Sequence, residues 1–147
     1  MSKLFLYYSD TGNGDVLAAR MRELGADVFR VEPKKELPKS FFWKIMTGGF
    51  EATVKYKPKL KGELPDTSGY DSVVIGSPVW NGRLSAPINT VLANENAAAN
   101  ISDFILYSGS GEAKKATEYI KKRFPNARIV ILKEPKKYPE ELEKADL

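Results

Sequence analysis

Tyr7-Tyr8-Ser9-Asp10-Thr11-Gly12-Asn13-Gly14-Asp15 is the stretch on which the fold turns. An apolar run over residues 4–8 leads into it, and an amphipathic run over 16–24 leads out. Strand, short polar loop and helix form a geometry that holds a phosphate. Backbone N–H groups and hydroxyls converge there, and the helix N-terminus adds partial positive charge. The loop lacks the glycine spacing and Lys-Ser/Thr ending of a Walker A motif, and it is not Gly-x-Gly-x-x-Gly. Taken alone it reads either as an anion cradle or as an ordinary β–α turn. Asp10 and Asp15 fit the cradle only if both side chains point to solvent.

Outward from this loop the chain alternates short apolar runs with amphipathic ones. Residues 3–8 read as a buried strand. In the following helix Val16, Leu17, Met21 and Leu24 share a face, with Ala18 and Ala19 beside them, and Gly25 stops it. Residues 27–32 form a second, partly alternating strand. After a charged connection, Phe41/Ile45 and Phe42/Met46 pair at i,i+4 in a short helix, and residues 50–65 read as an extended surface connection. Residues 72–77, Ser-Val-Val-Ile-Gly-Ser, are the clearest central strand. A helix starts near Ser85-Ala86-Pro87, with Leu84, Ile88, Val91 and Leu92 on one face, and residues 94–100 are a polar connection. A fourth strand spans 101–107. Glu112 opens a helix carrying Ala113, Ala116, Ile120 and Phe124, and Pro125 ends it. A fifth strand spans 127–132, and 138–147 is a charged tail with at most a short helix. This alternation predicts an α/β three-layer sandwich in one domain, residues 1–147, with a five-stranded parallel sheet covered on both faces. Right-handed crossovers bring the loops after the first, third and fourth strands to the carboxyl edge, where ligands bind.

Composition limits the chemistry. The chain has 147 residues with no Cys and no His, which excludes thiolate nucleophiles, Cys/His zinc sites and a histidine base. No catalytic side chain or metal site is expected, and redox chemistry would require a cofactor. No apolar run approaches the roughly 20 residues of a membrane span, and no signal-peptide pattern opens the chain, so a cytoplasmic location is the expectation. The net charge is +4, and it is local. Between Lys34 and Lys61, eight lysines face two glutamates for a net +6, leaving −2 elsewhere. Such a stretch is a solvated face or a docking site for an acidic partner. No nucleic-acid motif accompanies it.

Two further loops belong to the predicted edge. Ser77-Pro78-Val79-Trp80-Asn81-Gly82 carries a tryptophan suited either to stacking on a heteroaromatic ligand or to folding back on the domain. Asn81-Gly82 readily takes positive φ. Tyr107-Ser108-Gly109-Ser110-Gly111 is small enough for backbone to approach a planar ligand edge.

Over roughly residues 3–132 the chain resembles the flavodoxin family. Ser9, Thr11 and Gly12 match that family's Thr/Ser-x-Thr-Gly-x-Thr/Ser phosphate loop, with Asn13 at its free position. Gly14 departs from it by removing the last hydroxyl, for which backbone N–H or Asn13 would have to compensate. Gly76, Ser77, Pro78, Trp80 and Gly82 match its Gly-Ser/Thr-Pro-x-Trp-x-Gly loop, and Ser108, Gly109 and Gly111 a Ser/Thr-Gly-x-Gly variant of its third loop. Gly48-Gly49-Phe50 through Lys57-Pro58 is similar to a subgroup of small flavodoxin-like proteins. The resemblance implies strand order 2-1-3-4-5 and an FMN site made of Ser9, Asp10, Thr11, Gly12, Asn13, Gly14, Pro78, Val79, Trp80, Asn81, Gly82, Ser108, Gly109, Ser110 and Gly111. Trp80 would stack on the isoalloxazine, and the Asn81-Gly82 peptide would face flavin N5. The third loop lacks the aromatic that many flavodoxins set against the other flavin face, so Tyr107, Phe41, Phe42 or Trp43 swings in, or that face stays open. The implied function is electron transfer to a partner protein, acidic if it docks on the lysine-rich stretch, by a monomer or homodimer. The alternatives are an FMN-dependent NAD(P)H:quinone-type reductase and a flavin-free binding module for acidic partners.

Overall fold

The strands find their places by alternation. In β1 (Lys3–Tyr7), Leu4 and Leu6 point to one face and Phe5 and Tyr7 to the other, and all four are buried. A strand buried on both faces belongs in the middle of a parallel sheet, and β1 lies between β2 (Asp27–Arg30) and β3 (Ser72–Trp80). β3 pairs in turn with β5 (Ile101–Ser108), and β5 with β6 (Arg128–Lys133), all parallel. The order β2-β1-β3-β5-β6 is the expected doubly wound order. A two-residue strand, β4 (Arg83–Leu84), folds back antiparallel on the end of β3. The computed structural model describes residues 2–34 and 57–146.

The helices that follow cover the two faces. On one side α1 (Asn13–Glu23) sets Leu17, Ala18 and Met21 against Phe5, Tyr7, Val74, Ile105 and Tyr107. A 3-10 helix, Pro139–Ala145, closes this side through Leu142 and Ala145. On the other side α2 (Ala86–Ala93) and α4 (Lys114–Arg123) bring Ile88, Val91, Leu92 and Ile120 onto Leu4, Leu6, Ile75, Phe104 and Leu106.

Three local expectations change. Leu24 is not on the buried face of α1. It caps the helix and is 48% exposed, because α1 ends at Glu23 and the chain leaves the helical path there; Ala19 also lies outside the buried set of Gly14, Leu17, Ala18 and Met21. The connection at 94–100 contains one helical turn, α3 (Glu95–Ala98), where the Asn94 side chain accepts the Ala97 N–H as an N-cap. The third strand does not stop at Ser77 but continues through Pro78 to Trp80. Pro78 lies opposite Tyr107 at the carboxyl end of the ladder, where a missing N–H costs least. The expected helix around Phe41, Phe42 and Trp43, and most of the lysine-rich stretch, lie outside the described residues.

Candidate functional site

The topology brings four segments to the carboxyl edge of the sheet, around the switch point between β1 and β3. The first is the loop 8–12 with the start of α1. Ser9 is buried, and its Oγ accepts the N–H groups of Gly12 and Gly14 at 3.2 and 3.1 Å. Gly12, at φ 96°, takes the left-handed turn into the helix. Asn13 Nδ2 donates to Thr11 Oγ1 at 3.3 Å. The N–H groups of Thr11, Asn13 and Asp15 take no partner among the described residues.

Of the two carboxylates that argued against an anion, Asp10 stays half-buried within the loop and Asp15 is turned toward β2. Asp15 accepts from Tyr7 Oη at 2.7 Å and from Arg30 Nη1 at 2.6 Å, so it is tied to β2 while remaining exposed. Burial raises its carboxyl pKa, but the hydrogen bonds from Arg30 and Tyr7 and the Arg30 charge outweigh burial and hold it below the usual carboxylate value. Arg30 Nη2 also donates to the Ser9 carbonyl at 2.5 Å, tying β2 to the loop. Burial, then the hydrogen bond to Asp15, pushes the Tyr7 hydroxyl up to about 12.

Gly14 is set by packing. A Cβ there would lie 2.6 Å from Tyr107 Oη, 2.7 Å from Ser9 Cβ and 2.9 Å from Tyr7 Cδ2. Tyr107 is buried and donates its hydroxyl to the Tyr8 carbonyl. That placement removes Tyr107 from the residues expected to swing over a flavin: it lies under the loop. Phe41, Phe42 and Trp43 lie outside the described residues.

The second segment is a tight hairpin. Asn81 and Gly82 have φ of 51° and 74°, the doubly positive pattern of a type I′ turn, joining Trp80 to Arg83. Below it Ser77 Oγ donates to the Pro78 carbonyl at 2.8 Å and accepts the Ser85 N–H at 3.1 Å. Ser85 therefore begins α2 by position but spends its hydroxyl on Ser77, 2.9 Å away. The Gly82 carbonyl accepts the Ala116 N–H at 2.8 Å, anchoring the turn to α4. Trp80 is half-buried, edge-on to Tyr8 at 5.8 Å between ring centroids. The third segment is a serine turn: Ser108 Oγ accepts the Gly111 N–H at 2.8 Å and Ser110 Oγ the Glu112 N–H at 3.2 Å, with Gly109 exposed.

The fourth segment was missed in the sequence. Beyond β6 the chain turns at Glu134, φ 39°, whose carbonyl accepts the N–H groups of Lys137 and Tyr138 at 2.9 Å each. The turn places the Lys136 N–H 3.0 Å from Asn13 Oδ1 and its Nζ 3.4 Å from the Thr11 carbonyl. The signal was available in principle, since the turn follows a parallel strand and must emerge at the same edge.

A sequence model of the flavodoxin family matches residues 2–147. The chain belongs to the flavodoxin family. Solved structures agree at the level of fold. A flavoprotein from Lactobacillus acidophilus NCFM, determined in complex with FMN, superposes with a TM-score of 0.75 at 17% identity, covering 95% of this chain and 97% of that one. A candidate flavoprotein from Bacteroides eggerthii DSM 20697 gives 0.72 at 21% identity, covering 99% of each chain. One from Bacteroides uniformis ATCC 8492 gives 0.69 at 20%, covering 87% and 88%. No curated protein matches the chain significantly. The flavodoxin frame makes the donor set of the first loop testable. Unpartnered N–H groups, the Thr11 hydroxyl and an ammonium group beside a left-handed glycine suit a phosphate monoester.

Proposed function

We propose that this chain, as a single domain of residues 1–147, binds FMN at the carboxyl edge and passes electrons to a partner protein. The observation that carries the proposal is the meeting, at one switch point, of an N–H-rich loop whose helix-turn carboxylate, Asp15, is neutralised by Arg30 with a hairpin that presents Trp80. Bound FMN would supply the one- and two-electron chemistry that a chain without Cys or His lacks. The loop Ser9–Gly14 would hold the phosphate through Thr11 and the N–H groups of Thr11, Asn13 and Asp15, with Ser9 shaping the loop from inside. Trp80 and Val79 would offer an apolar wall, and the open Gly82, with nothing within 4 Å of a Cβ, would let backbone approach the ring system. The turn Ser108–Gly111 would close the site on its third side. The partner would be acidic if the lysine-rich stretch docks it.

The deciding experiment is the absorbance spectrum of the purified protein before and after reconstitution with FMN. A flavin spectrum with saturable uptake supports the proposal, and a colourless protein that takes up no FMN refutes it.

One feature favours a second reading, direct reduction by NAD(P)H. A cavity of about 430 Å³ between β4 and α4 is lined by Arg83, Lys115 and Lys122 among others, and it borders the Trp80–Arg83 hairpin. Cations there could hold dinucleotide phosphates. Rapid stopped-flow reduction by NADPH without a partner protein would select this reading over the pure carrier.

A further inference from the structure

Lys136 stands 125 residues from Thr11 in the chain, yet both its backbone and its side chain meet the first loop. Its backbone is fixed by the bond to Asn13 and by the turn on the Glu134 carbonyl. The β5–β6 ladder extends to the base of this turn, where the Glu134 N–H reaches the Ser108 carbonyl at 3.2 Å. Its stem lies in the space left by the absent side chain of Gly12: a Cβ there would be 3.3 Å from Lys136 Cδ and 3.2 Å from Nζ. The ammonium pairs with no carboxylate among the described residues. Its bond to the Thr11 carbonyl is long, and an ammonium has three donors.

We propose that Lys136 is the phosphate-binding cation of this site, and that its charge sets the preference for a phosphorylated flavin over an unphosphorylated one. The flavin part rests on the FMN reading above; the phosphate part does not. Three donors beside the unpartnered N–H groups of Thr11 and Asn13 allow the ammonium to turn from a carbonyl to an anion without moving the backbone. The Asn13 side chain is engaged by Thr11 and by the Lys136 N–H. Compensation for the missing hydroxyl at Gly14 therefore comes from the far end of the chain and not from Asn13.

The test uses the full chain, Lys136→Met and Lys136→Arg, titrated with FMN, riboflavin and inorganic phosphate by flavin fluorescence and calorimetry. Thermal unfolding of each variant confirms the fold. Lys136→Met is expected to bind FMN about tenfold more weakly, the scale of one charge-assisted hydrogen bond at an exposed site. Its riboflavin affinity should be unchanged, and its FMN affinity should depend less on salt. Lys136→Arg should retain most of the FMN affinity. Unchanged FMN affinity in Lys136→Met, or equal losses for FMN and riboflavin, would overturn the assignment. A wild-type protein that takes up no FMN but binds inorganic phosphate in a Lys136-dependent way would overturn the FMN reading and leave the lysine's role standing. One that binds neither would overturn both.

Discussion

Gly14→Ala is the substitution for which local propensity and tertiary packing predict opposite signs. Gly14 occupies the second position of α1, and replacing a helical glycine by alanine gains about 0.5–1 kcal/mol where there is room. Here the new methyl would meet Tyr107 Oη at 2.6 Å, Ser9 Cβ at 2.7 Å and Tyr7 Cδ2 at 2.9 Å. None of the three is the loose end of a flexible side chain. Tyr107 is 3% exposed and bonded to the Tyr8 carbonyl, and Ser9 is 1% exposed and bonded to two loop N–H groups. Overpacking of this kind costs about 1–3 kcal/mol. The net effect is a loss of about 1–2 kcal/mol, equivalent to a fall in Tm of roughly 3–8 °C for a domain of this size. Urea unfolding and calorimetry of Gly14→Ala and Gly14→Ser measure it. Tyr107→Phe, which removes one of the three clashing atoms, gives a double-mutant cycle whose coupling with Gly14→Ala should be favourable by about 1 kcal/mol. Gly14→Ser would supply the hydroxyl that the family's loop usually carries, and it should still weaken FMN uptake because it displaces Ser9. A Gly14→Ala protein as stable as the wild type, or more so, would refute the claim that Tyr107 dictates this glycine.

The remaining predictions concern the hairpin and the polar cluster under the loop. Gly82→Val should lower stability by about 1–2 kcal/mol through its positive φ alone, and Gly82→Asn by clearly less; equal losses in urea midpoints would show that the cost is steric after all. Tyr7, with a folded-state pKa of about 12 against 10.0 in the unfolded chain, contributes stability that is complete below about pH 10 and lost as the pH rises toward 12. Tyr7→Phe should therefore flatten the alkaline limb of the stability curve measured by denaturant unfolding. Asp15, held below its ordinary 3.8, contributes stability that is present above that value and lost as the pH falls through its folded-state pKa. Asp15→Asn should flatten the acid limb, and an unchanged acid limb would mean that the Arg30 pair adds nothing net.

The sheet was legible because its strands are buried on both faces, which leaves uninterrupted runs such as Val73-Val74-Ile75, and because the helices between them have clear stops at Gly25 and Pro125. Relations between neighbours in sequence were also legible: Asn81-Gly82 announced positive φ, and both residues have it. Relations across the sheet were not. Nothing local to Gly14 says that a tyrosine from β5 occupies its side-chain space, and nothing local to Asp15 says that Arg30 of β2 will neutralise it. Leu24 fits the helical period yet is exposed, because periodicity does not say where the helix ends. Pro78 reads as a strand terminator, but at the last rungs of a ladder a proline is tolerated, and β3 runs two residues past it. Lys136 fell between the expected fifth strand and the charged tail, in a stretch with no signal of its own, since its role depends on the register of β6 against β5 and not on any motif.

The charge balance around the first loop connects these long-range contacts to an anion. A helix N-terminus carries roughly half a positive charge, and a carboxylate in the first turn would cancel it for any incoming anion. Asp15 is such a residue, but the Arg30 guanidinium lies 2.6 Å away and compensates the carboxylate. The helix end therefore keeps its positive potential, and Lys136 adds a full positive charge beside Thr11. Against a phosphate dianion the two sources together offset most of its charge at an exposed edge, with Asp10 the remaining carboxylate of the loop. Removing Arg30 would reverse this balance, because Asp15 would then face the anion uncompensated. An Arg30→Met protein should lose more FMN affinity than Lys136→Met although Arg30 is not proposed to touch the phosphate. Adding Asp15→Asn to Arg30→Met should restore much of that loss, an outcome that a purely structural role for Arg30 does not produce.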